Sequence, residues 1–202
     1  MADGACRAAH LAQQWWRHEF EQTLPDLREA DIAGSGFAIT RYSVHRDLGG
    51  DEALARLRTR ARQRGLRLML DFVPNHMAPD HAWTDEHPDY FVHGSEEDLE
   101  RSPRNYCRVA MKNGPLLLAY GRAHISTAGP TRLQLNYGNP QLQQAMIGEL
   151  ERIADQCDGV RCGMAMLVLP EVFERTWASG PTCSGRRRRG GAAPASRLPV
   201  HG

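Results

Sequence analysis

Asp71, Asn75 and His76 close the segment LRLMLDFVPNH, and Asp158 and Arg161 lie in a second segment, CDGVRCGMAML. Each segment reads as a buried strand whose last residues turn polar. At the C-terminal mouth of a β/α barrel, polar residues at strand ends face substrate. A local alternative stands beside that reading: Asp71 caps a turn, and His76 is merely hydrogen-bonded. Asp158 and Arg161 are assigned to the second strand end. An arginine beside a carboxylate site holds the carboxylate ionised and oriented. Residue 163 is glycine, so Arg161 can instead pair with another acid.

The elements that must position these residues follow from periodicity. Asp51 to Arg64 reads as a helix, with Leu54, Leu57 and Ala61 at helical spacing and arginines on the other face. Gly65 stands where a left-handed C-terminal residue belongs. Leu66 to Val73 follows at once as a strand. In NPQLQQAMIGELERIADQ, Asn139 is a good N-cap, Pro140 a good first helical residue, and Leu142, Met146, Leu150 and Ile153 form an apolar stripe. The next strand begins near Asp158. Two helix-then-strand units imply a parallel α/β sheet, because parallel strands need crossovers. Met77 to Gly138 is too long for a simple loop and reads as an inserted subdomain above the sheet.

The flanks are weaker. A short helix is expected around Ala8 to Glu21, followed by a glycine-rich loop with aromatics, Gly34 to Gly50. From Ala178 the chain loses periodicity and large apolar residues, so a disordered tail is expected.

Composition narrows the function classes. There are 25 basic and 24 acidic residues, a formal net charge of +1, which gives no global pull toward nucleic acid or anionic membrane. No apolar run suits a membrane span, and no signal-peptide h-region is seen, so a cytoplasmic location is expected. The five cysteines are odd in number and form no C-x-x-C pair, which favours free thiols over disulfides or metal.

Taken together, DFVPNH, then DGVRCG, with an insert between them, resembles the α-amylase family, glycoside hydrolase family 13. The family pattern is D-x-x-x-N-H at one strand end and D-G-x-R-x-D at the next. This chain matches at Asp71, Asn75 and His76, and at Asp158, Gly159 and Arg161, and departs at Gly163. GFAITRY resembles the family's G-Y-x-I-x-x-Y loop and places Phe37 where an aromatic stacks under the sugar ring. The resemblance runs from about Asp26 to Trp177.

The resemblance implies a fold, partners and roles. The fold would be a partial (β/α)8 TIM-barrel fragment: residues 1–76 the first part, 77–138 the insert, 139–177 the second helix–strand unit and 178–202 the tail. The substrate would be an α-glucan or α-glucoside. His76 would hydrogen-bond the sugar and Arg161 the nucleophile, with Asp71 and Phe37 also lining the site. No cofactor is required; Asn75 is a calcium ligand in some members. The parent mechanism is retaining, with a carboxylate nucleophile and a second carboxylic acid. Gly163 occupies the nucleophile position, and the family's acid and third carboxylate lie on later strands, beyond Trp177. Glu171 follows the wrong strand to replace the acid. A truncated, inactive domain with an unclosed, poorly soluble sheet is the expectation.

The anomalies share one explanation in the reading frame. Back-translated and shifted by one base, ASGPTCSGRRR reads GQRADLFWPEA, and much of Ala123 to Arg132 reads as the aromatic-rich PYFHRWPDA. Gly163 is one base change from aspartate. A frame corrupted by mutation or sequencing error is therefore expected. Two other functions stand beside this one: a non-catalytic sugar-binding remnant built on His76, Arg161 and Phe37, and nucleic-acid binding through Arg186 to Arg189. The second finds no basic stripe elsewhere in the chain to support it.

Overall fold

The computed structural model describes residues 21–28, 38–112, 114–121 and 132–177. Phe37, the expected helix up to residue 20 and the arginine-rich tail lie outside them.

Helix α1, Gly50–Arg62, starts after Gly49, whose φ is 90°. A Cβ on Gly49 would sit 2.7 Å from the Ala53 Cβ, so glycine is required there on two counts. Asp51 and Glu52 lie in the first turn and Arg60 and Arg62 in the last, which complements the helix dipole. The helix closes at Gly65, φ 72°, with Leu66 N donating to Ala61 O at 2.9 Å. The expected stop is therefore present. The apolar stripe is less fully used, because Leu57 remains 53% exposed.

Strand β1, Met69–Phe72, is shorter than the expected Leu66 to Val73. Strand β2 is His76–Met77. Three short elements follow: helix α2 (Trp83–Glu86), helix α3 (Glu96–Arg101) and the hairpin of β3 (Tyr106–Val109) with β4 (Leu116–Ala119). Strand β5, Leu133–Gln134, returns antiparallel to β2, pairing His76 with Gln134 and Met77 with Leu133. Helix α4, Pro140–Gln156, is capped by the Asn139 side chain, which accepts from Gln141 N at 2.9 Å. It buries Leu142, Met146 and Ile153, as its stripe requires.

Strand β6, Gly159–Cys162, then lies parallel to β1, with Asp71 opposite Arg161 and Phe72 opposite Cys162. Helix α5, Pro170–Trp177, ends the described chain. The parallel pair, with α4 as its crossover, is the predicted α/β unit. One core cluster joins it to the intervening segment: Phe72, Leu142 and Met146 pack with Met77, Phe91, Leu118 and Leu133. No helix among the described residues is long and apolar enough to cross a membrane.

Candidate functional site

The parallel register decides which side chains meet. Asp71 and Arg161 are direct neighbours on β1 and β6, and Arg161 Nη1 donates to Asp71 Oδ2. Their side chains are 50% and 68% exposed, so this is a solvent-facing pair at the open strand ends. The acid that Arg161 takes is thus Asp71.

Gly163 extends the ladder beyond β6. Its N–H donates to Phe72 O at 2.7 Å, which holds it against β1. A Cβ built there would lie 3.3 Å from Asp71 Oδ1 and 3.6 Å from Val73 Cγ2. A side chain at 163 would therefore reach the space beside the Asp71–Arg161 pair. A carboxylate in that space could attack an electrophilic carbon; a glycine offers no atom to do so.

Asn75 and His76 are deeply buried, 1% and 2% exposed. Asn75 Oδ1 accepts from Gln134 Nε2 at 3.1 Å, and its Nδ2 faces His76 Nδ1 at 3.2 Å. Two tyrosines hold the intervening turn. Tyr42 donates to Val73 O at 2.6 Å and packs at a tilt against the Phe72 ring, while Tyr137 donates to Pro74 O at 2.8 Å. Burial pushes both phenols above their ordinary range, so they remain protonated donors. Gln134, Tyr42 and Tyr137 were not singled out by spacing. Tyr42 did stand at the last position of the GFAITRY loop, a signal that could have found it.

Asp158 corrects the sequence reading. It does not share the strand end with Arg161 but stands just before β6, at the opposite end. Its carboxylate accepts from Leu68 N at 3.0 Å, Arg58 Nη2 at 2.9 Å and Arg62 Nε at 3.2 Å. The Leu68 amide and the two guanidinium groups hold its carboxyl well below the usual carboxylate range. Arg58 also caps the end of α4 by donating to Asp155 O at 2.7 Å. Asp158 is thus a clamp between α1 and the starts of both strands. Glu171 stands exposed in the first turn of α5.

Asn75 Oδ1 accepts from Gln134 Nε2, and no group of three or more His, Cys, Asp or Glu side chains among the described residues is placed to hold a metal. No step is derived through calcium.

A parallel strand pair crossed over by a helix, with polar side chains gathered at one set of strand ends, is the build of part of a β/α-barrel domain. Solved structures share it. Isomaltulose synthase from Klebsiella sp. LX3 superposes with a TM-score of 0.54 at 22% identity, over 74% of this chain and 31% of that one. An alpha-amylase from Lactobacillus plantarum gives 0.51 at 26% identity, over 70% and 28%. The family model for the alpha-amylase catalytic domain matches residues 27–176, and the chain belongs to that family, glycoside hydrolase family 13. Among curated relatives, a probable oligo-1,6-glucosidase of Bacillus subtilis (strain 168) is 27% identical over 156 residues, 68% of this chain and 26% of its own. An alpha-1,4-glucan:maltose-1-phosphate maltosyltransferase of Salinibacter ruber is 42% identical over 67 residues, 32% and 10%. The chain therefore spans well under half the length of the relatives it matches.

Proposed function

We propose that this chain contributes one wall of a family 13 sugar site, engages α-glucans or α-glucosides, and is silent in the covalent step because residue 163 is glycine. The observation that carries this is the place of Gly163, in register beside the Asp71–Arg161 pair. In the retaining mechanism a carboxylate oxygen bonds to the anomeric carbon as the bond to the leaving oxygen breaks, and a carboxylic acid protonates that oxygen. Gly163 has no oxygen to form the first bond. Loss of an essential nucleophile typically costs on the order of a million-fold in rate.

In this reading Asp71 and Arg161 supply polar contacts to sugar hydroxyls, His76 supplies a further one, and Phe37 stacks under the ring. Residues 77–138 form the inserted subdomain, and 1–76 and 139–177 the barrel units. A sugar-binding role without turnover is the form the function takes while Gly163 stands. The test joins calorimetry with maltooligosaccharides to intact mass spectrometry after exposure to α-glucosyl fluoride. Weak binding and no hexosyl adduct are expected. An adduct, or reducing-sugar release that disappears in Arg161→Ala, would overturn the silent reading; no binding at millimolar sugar would overturn engagement.

A further inference from the structure

Gln134 is fully buried and its amide is oriented by groups that can act in only one sense. Its Nε2 donates to Asn75 O at 2.9 Å and Leu135 O at 3.2 Å. Main-chain carbonyls only accept, so the NH2 end of the amide must face them. The opposite end, Oε1, is buried with no hydrogen-bond partner among the described residues. Leaving that oxygen unsatisfied is unfavourable, so the two carbonyls, not the oxygen, set the orientation.

The orientation propagates. The same Nε2 lies 3.1 Å from Asn75 Oδ1, so its two hydrogens are shared among three acceptors; a flipped Asn75 would set its own NH2 against that NH2, donor against donor, and the contact therefore selects the Asn75 oxygen. Asn75 must then turn its Nδ2 toward His76 Nδ1, 3.2 Å away. An amide NH2 can only donate, so Nδ1 must accept. A neutral imidazole that accepts at Nδ1 carries its hydrogen on Nε2. The β2–β5 register places Gln134 directly opposite His76, so the relay is built into the strand pairing.

We propose that Gln134 is a positioning residue: acting through Asn75, it fixes His76 in the tautomer that carries its hydrogen on Nε2. That form carries its donor on Nε2, an atom buried in this structure. The use of that donor rests on the functional reading above; the relay does not.

The test is the tautomer, read in the 15N-labelled full chain by long-range 1H–15N correlation at about pH 9, where an ordinary imidazole is neutral. His76→Ala identifies the signals. The native chain is expected to show an unprotonated Nδ1 and a protonated Nε2. Asn75→Asp keeps the acceptor for Gln134 but replaces the donor facing the ring by a carboxylate oxygen, so the hydrogen should move to Nδ1. Gln134→Leu removes the anchor and should give both forms. Hydrogen on Nδ1 in the native chain, or an unmoved Nε2 hydrogen in Asn75→Asp, would overturn the relay. An unmoved Nε2 hydrogen in Gln134→Leu, or in Gln134→Met should the first not fold, would overturn the role of Gln134. Sugar titration is separate, so the relay can stand while the functional reading falls, and the reverse.

Discussion

At Gly163 the backbone does not demand glycine, since its φ is not among the positive ones. What a side chain meets there is the Asp71 carboxylate, 3.3 Å from a new Cβ. Two carboxylates about 4 Å apart in water repel by about 1 kcal/mol. Gly163→Asp should therefore be less stable than Gly163→Ala by about that amount in urea unfolding at neutral pH, and adding Asp71→Asn should remove the difference. Arg161 belongs to the same pair but is largely exposed. Arg161→Ala should leave stability within about 0.5 kcal/mol while weakening maltooligosaccharide binding. A large stability loss with unchanged binding would make Arg161 a structural residue only.

Elements are held in place by a few polar locks, and these respond to pH. His81, 7% exposed, is held neutral by burial, with its pKa lowered from 6.5 to about 4. The unfolded imidazole binds a proton that the folded one refuses, so stability should be full above about pH 6.5 and fall between there and about pH 4. Urea midpoints across that window should drop in the native chain and drop less in His81→Asn. Asp158 acts in a lower window. Its depressed carboxyl supplies stability above the ordinary carboxylate range that is lost as pH falls below it. Helix α3 begins with a reciprocal capping box between Ser95 and Asp98. Ser95→Ala should cost about 1 kcal/mol, read from the same urea midpoints.

On the scale of the whole molecule, the parallel sheet has two strands among the described residues, and apolar side chains remain in water around it. Met69 on β1 is 66% exposed, Leu66 before it 60%, and Met166 after β6 61%. Edge strands with exposed apolar residues invite pairing with other chains. Concentration-dependent self-association is expected in sedimentation, together with a broad thermal transition. A monomer with a sharp cooperative melt would contradict it. Leu142 on α4 is fully buried in the core cluster, and Leu142→Ala should cost about 2–5 kcal/mol.

Much of this protein was determined by sequence alone. Helix α4 was legible because Asn139, Pro140 and the Leu142–Met146–Ile153 stripe are local signals, and the stop at Gly65 is another. The family was legible because Asp71, Asn75, His76 and Arg161 keep fixed spacings along two strands. Only the tertiary structure decided what those residues touch. Asp158 and Arg161 are three residues apart yet belong to opposite ends of one strand, because a strand advances about 3.3 Å per residue. The parallel register joined Asp71 to Arg161 across 90 residues of chain. The antiparallel return of β5 set Gln134 against Asn75 and His76, burying two residues that their polarity alone would have placed at the surface. Such contacts arise from strand pairing between distant segments, and spacing within one segment carries no record of them.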